Sequence, residues 1–176
     1  MTQPPPPTRR VFLVRHANAG WALPGTRDFD RGLDAAGRDE AAQLAATMAI
    51  NGFRPDRVYC SPARRCVETL EVLSSRLGPF PAVDHREALY LESHQAYLDL
   101  IANDHAEAGS IMIIGHNPML EDTALVLLSG DPASSEEALG MGFPTAGLMI
   151  ADCAPGADPG EPGNATFIAL MSPVDA

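Results

Sequence analysis

The chain has 176 residues, 45% of them hydrophobic and 20% charged, a size and balance that suit one folded domain and exclude a disordered chain. Its 23 acidic and 12 basic side chains leave a net charge of −11, which excludes sequence-independent nucleic-acid binding and docking on anionic membrane surfaces. No apolar run approaches the ~18–20 residues of a membrane span. The opening MTQPPPPTRR has no apolar signal core, and the odd set Cys60, Cys66 and Cys153 lacks C-x-x-C spacing, so a reducing cytoplasm is the expected location.

Residues 1–9, with the run Pro4 to Pro7, are expected to form a Pro-rich flexible tail, and residues 10–176 a single domain. Arg10 to Arg15 (RVFLVR) is short, apolar and β-branched and reads as a buried strand. Asp34 can cap a helix running to about Ile50, with Ala41, Leu44, Ala45 and Met48 on one face and Asn51-Gly52 closing it. Arg57 to Cys60 is a second strand. Ser61-Pro62 then reads as a cap and first-turn proline for a helix carrying Cys66, Leu70, Leu73 and Leu77 as far as Gly78-Pro79. A helix is expected over Ser93 to Ile101 and a strongly apolar strand over Ser110 to Ile114. Asn117-Pro118 repeats the cap-plus-proline pattern and opens a helix to Gly130. Ala146 to Asp152 and Ala165 to Met171 read as two late strands joined by the Pro/Gly-rich loop 154–164. This alternation predicts an α/β fold: a mostly parallel, mixed central sheet, helices on both faces, and a late hairpin.

In such a sheet functional groups gather at the carboxyl ends of the strands. Arg15-His16 follows the first strand, Ser61-Pro62-Ala63-Arg64-Arg65 the second, and Gly115-His116-Asn117-Pro118 the strand SIMII. Any one cluster suits an ordinary polar loop. All three at equivalent strand ends point to a pocket with two imidazoles and several guanidiniums, in a protein that is otherwise acidic. Such a pocket suits a small anion, phosphate above all. No carboxylate or Cys stands at metal-ligand spacing from His16 or His116, and the arginines would repel a cation. Cys60 and Arg65 enclose only four residues, which rejects the C-x5-R phosphatase motif. His85, His94 and His105 have no comparable setting and read as surface residues.

The motifs LVRHA, SPARR…ET and GHNPML, in this order, resemble those of the histidine phosphatase superfamily, which includes phosphoglycerate mutases. The short length, RGLDAAGRDEA and FPTAGL are most similar to SixA-type phosphohistidine phosphatases, from about Arg10 to Met171. The resemblance implies that His16 is the nucleophile and becomes a phospho-imidazole. Arg15 and Arg65 would bind phosphate, with Arg64 facing solvent, and His116 would be the second pocket histidine. Arg31 would be a further phosphate contact. No metal or organic cofactor is required.

Larger members have a carboxylic acid for the leaving group, and the nearest candidate is Glu92, which also reads as the residue before a helix cap. A missing acid suits an imidazole leaving group better than an alkoxide. The expected partner is therefore a phosphohistidine-bearing protein. The alternatives are a small phosphorylated substrate such as a sugar phosphate or nucleotide, and a non-catalytic phosphate-binding module. The stretch before His116 is too short for a large lid, which argues against mutase activity. No nucleic acid or membrane is expected. The sequence leaves the oligomeric state open, and a monomer fits it.

Overall fold

The computed structural model describes residues 8–103, 109–154, 158–159, 161 and 163–173. The strands are β1 (Arg9–Arg15), β2 (Arg57–Cys60), β3 (Val83–His85), β4 (Ser110–Gly115), β5 (Leu148–Cys153) and β6 (Ala165–Met171). The helices are α1 (Ala35–Ile50), α2 (Arg64–Leu77), α3 (Ala88–Leu91), α4 (Gln95–Asn103), α5 (Met119–Leu127) and α6 (Pro132–Leu139), with a 3-10 turn at Asp28–Asp30. The strands form one sheet in the order β3-β2-β4-β1-β5-β6. β3, β2, β4 and β1 run parallel, β5 is antiparallel to β1, and β6 returns as the second arm of a hairpin.

β1 is buried on both faces, and its alternation divides the core in two. Val11 and Leu13 pack with Tyr97 and Ile101 of α4 and Leu120 and Leu127 of α5. Phe12 and Val14 pack with Leu44 and Met48 of α1 and Leu70 and Leu73 of α2. Each large side chain so buried contributes about 1.5–3 kcal/mol relative to exposure. The register then places the chemistry. Arg15 pairs with Gly115 across β1 and β4, so His16 and His116 leave neighbouring parallel strands side by side. Cys60 of β2 pairs with Ile114, which brings Ser61 to the same edge.

Several boundaries differ from the sequence reading. Neither Ser61 nor Asn117 caps a helix with its side chain: α2 starts at Arg64 after Ala63, and α5 at Met119 after Pro118. Both polar side chains are instead committed to partners elsewhere, described below. The helix expected over 93–101 spans Gln95–Asn103, and that expected to reach Gly130 stops at Leu127. β5 begins at Leu148, because Ala146 has φ +50 and cannot continue a strand. The elements β3, α3 and α6 had no counterpart in the sequence reading. Pro4–Pro7 and His105 lie outside the described residues, as does part of the 154–164 loop.

Candidate active site

His16, His116, Arg15 and Arg65 converge at the carboxyl edge of β1 and β4. The two imidazole rings stand 5.3 Å apart, centroid to centroid. His16 donates from Nδ1 to the carbonyl of Ala17 at 2.8 Å, which leaves Nε2 as the bare nitrogen. That Nε2 accepts from Nε of Arg65 at 3.2 Å. Arg65 is buried, and its position in the first turn of α2 aims the guanidinium along the edge of the sheet. It donates from Nη1 to the Asp28 carbonyl at 2.8 Å and from Nη2 to Asp28 Oδ2 at 3.0 Å. The same Nη2 lies 3.3 Å from Nδ1 of His116. Because arginine only donates, Nδ1 of His116 accepts there. Its Nε2 therefore carries the proton and donates to Ser61 Oγ at 2.8 Å.

Both imidazoles are neutral at ordinary pH. Burial, reinforced by Arg65 and Arg15, lowers His16 to about 4 and His116 to about 3. For His16 the Ala17 carbonyl works against this shift but does not overcome it. Arg15 donates from Nη1 to the Phe143 carbonyl at 2.7 Å, while its buried Nε meets no partner among the described residues. An unsatisfied buried guanidinium N–H needs an acceptor, and an oxyanion in this pocket would supply one.

Surrounding residues hold the cage in place. Thr69 Oγ accepts from the backbone N–H of Ala17 at 3.1 Å and donates to the Arg65 carbonyl at 2.7 Å, tying the turn after His16 to α2. Glu68 accepts from Leu33 N, Arg38 and Arg64, which joins α2 to the segment that follows Arg31. The Glu-Thr pair of the motif SPARR…ET thus acts as a fastener between the two loops of the site. Tyr97 donates to the Leu89 carbonyl at 2.9 Å and accepts from the backbone N–H of His116 at 3.2 Å. Glu121 Oε1 accepts from Phe143 N at 2.8 Å and from Asn117 Nδ2 at 2.6 Å, fixing the turn whose carbonyl receives Arg15.

The structure sorts the remaining candidates. Arg31 reaches the cage through Asp28, with Nη2 3.0 Å from Oδ1. Arg64 turns away to Glu68 at 2.7 Å. Glu92 is exposed at the C-cap of α3. The cavity beside the cage, about 300 Å³, is lined by Arg27, Phe29, Pro62, Glu87, Tyr90 and Leu91, so Glu87 rather than Glu92 faces it. His85 is exposed, and His94 pairs loosely with Asp122 at 4.0 Å. Sequence reasoning missed Asp28, a carboxylate between Arg65 and Arg31. Tyr90, whose hydroxyl donates to Asp28 Oδ2 at 3.3 Å, was missed as well. Neither carried a motif or periodicity that could have singled it out. Among the described residues no group of three His, Cys, Asp or Glu could hold a metal ion, and no helix is long and apolar enough to cross a membrane.

Known proteins share the sequence pattern and the fold. Residues 11–90 match the model of the histidine phosphatase superfamily, branch 1. A candidate phosphohistidine phosphatase SixA of Agrobacterium tumefaciens is 35% identical, with a TM-score of 0.81 over 93% of this chain and 97% of its own. The chain belongs to the histidine phosphatase superfamily. A second candidate SixA, from Nakamurella multipartitia, is 26% identical with a TM-score of 0.78, over 95% of this chain and 97% of that one. An uncharacterised chloroplastic protein of Arabidopsis thaliana is 28% identical over 68% of this chain, which spans 59% of that protein's length. As a superfamily member the chain carries on one pocket edge the two histidines and two arginines that its motifs led one to expect.

Proposed function

We propose that this protein is a phosphatase that removes phosphate from phosphohistidine on another protein through a phosphorylated His16. The observation that carries the reading is the His16 tautomer. Nδ1–H is held by the Ala17 carbonyl, so the lone pair of a neutral Nε2 faces the arginine cage. That nitrogen attacks phosphorus, and charge on the transferring phosphoryl oxygens falls among Arg15, Arg65 and Arg31. The Ala17 carbonyl then stabilises the cationic ring of phospho-His16. His116 is neutral in the ligand-free site, with Nδ1 toward the cage. Burial first and the arginines second keep it unprotonated, and an arriving phosphoryl dianion offsets them and favours a proton on that nitrogen, turning it into a donor. Water then takes the phosphoryl group, and the bonding pair returns to His16 Nε2.

The leaving group decides between substrates. Asp28 is the carboxyl in direct contact with Arg65. Burial opposes its ionisation, but Arg65 and Arg31 outweigh burial and hold it below the ordinary carboxylate range. An ionised Asp28 has no proton to give an alkoxide, whereas a protonated imidazole leaves without one. The reading of small phosphomonoesters as substrates is favoured by one feature, the exposed carboxyl of Glu87 on the lining of the neighbouring cavity.

The test is phosphate release from a phosphohistidine-bearing protein beside a panel of small phosphomonoesters, with His16→Ala as control. The phosphohistidine protein is expected to be preferred, and His16→Ala to abolish turnover while leaving the fold intact. Preference for a monoester would overturn the substrate assignment, and turnover by His16→Ala would overturn the covalent route.

A further inference from the structure

We infer that the cavity beside the cage is a leaving-group subsite that receives a protonated imidazole, against the rings of Phe29 and Tyr90 and within reach of the Asp28 carboxylate. The inference rests on the phosphohistidine reading and specifies how the site would recognise that substrate. The cavity touches the cage at Tyr90. Its ring lies 5.6 Å from the His116 ring, and its hydroxyl donates to Asp28 Oδ2, the oxygen that also receives Arg65. Phe29 meets Tyr90 edge to face at 5.0 Å, so the two rings form one angled apolar wall. The lining holds none of the cage residues themselves, and Tyr90 is the link between cavity and cage.

The charges of the site match a zwitterion. Arg15, Arg65 and Arg31 suit the phosphoryl oxygens. Next to them, Asp28 and Glu87 supply negative charge, and the aromatic faces suit a flat cation. The Asp28 side chain is about half exposed despite its arginine contacts, which leaves lone pairs for a further donor. Arg27 also lines the cavity, but its Nε and Nη2 are taken by the two carboxylate oxygens of Asp30 at 2.7 and 3.1 Å. A phosphohistidine protonated on its second ring nitrogen has this charge pattern, whereas a phosphomonoester brings no cation.

The step balances without a separate acid. The lone pair of His16 Nε2 forms the new P–N bond as the old one breaks, and its electron pair returns to the departing ring nitrogen. The proton stays on the distal nitrogen, hydrogen-bonded to Asp28, and the product leaves as a neutral imidazole.

The experiment compares wild type, Asp28→Asn and Tyr90→Leu by kcat/KM on a phosphohistidine peptide and by calorimetric affinity for inorganic phosphate. Both variants are expected to lose roughly tenfold or more in kcat/KM, the worth of one charge-assisted contact, and to lose clearly less in phosphate affinity. Parallel loss of both quantities would overturn the inference, because it would show that Asp28 only orients Arg65. Unchanged kcat/KM in both variants would overturn it too while leaving the phosphohistidine reading intact. A wild-type protein that binds phosphate but leaves the peptide untouched would overturn the reading and the inference together.

Discussion

An imidazole is a nucleophile only while its ring is neutral, and the surroundings of His16 keep it so far below the ordinary imidazole range. Burial comes first and the arginines second, lowering it to about 4, while an imidazole in an unfolded chain titrates near ~6.5. The kcat/KM of the wild-type protein should therefore hold its plateau as pH falls through 6.5 and decline only toward about 4. A pH profile measured with a substrate whose own titration is known checks this, and a break near 6.5 would show a solvated nucleophile. The same shift acts on stability. As pH falls, the unfolded chain binds protons at His16 and His116 before the native state does, since their native values are about 4 and about 3. Their contribution is fully present above the unfolded value and is lost as pH falls toward the native ones. Urea midpoints should drop across that interval.

The strands set the distances between these groups, and the clearest case is the end of β4. A Cβ added to Gly115 would lie 2.2 Å from the Tyr97 hydroxyl oxygen, so only glycine lets that ring reach under the site. Gly115→Ala is expected to push Tyr97 from the Leu89 carbonyl and the His116 N–H, costing about 1–3 kcal/mol by overpacking and lowering kcat as His116 shifts. Urea unfolding beside steady-state kinetics checks both effects. The main strands were legible in the sequence because RVFLVR and SIMII are apolar runs bounded by polar strand ends, and Arg15, His16 and His116 were legible because they stand at the ends of those runs, whereas only the resemblance of SPARR to the superfamily motif chose Arg65 over Arg64. The short β3 and one-turn α3 are too brief to show a period. Ser61 and Asn117 were misread as caps because their side chains serve His116 and Glu121 instead. Asp28 was invisible because the segment from Ala17 to Asp30 has no hydrophobic period, and its role arises only when α2 brings Arg65 to it.

At the scale of the whole molecule, the thiols are shut away from solvent. Cys60, Cys66 and Cys153 are all buried and free. Burial pushes Cys66 and Cys153 up to about 12 and raises Cys60 strongly, so none supplies a thiolate at neutral pH. Cys66 matters most here, because its sulfur lies 3.5 Å from Nε2 of His116 and a modification there would disturb the cage. Alkylation is therefore a test of whether the native fold shields the site and of which nucleophile the chemistry uses. The folded protein should keep full activity through prolonged exposure to iodoacetamide and show no mass increase, whereas all three thiols should be modified in denaturant. Modification should track the population of unfolded chains, since a thiol reaches the reagent only when its part of the core opens. Rapid alkylation of native protein with loss of turnover would mean that a thiolate lies open at the pocket, and would return a cysteine-based route to consideration.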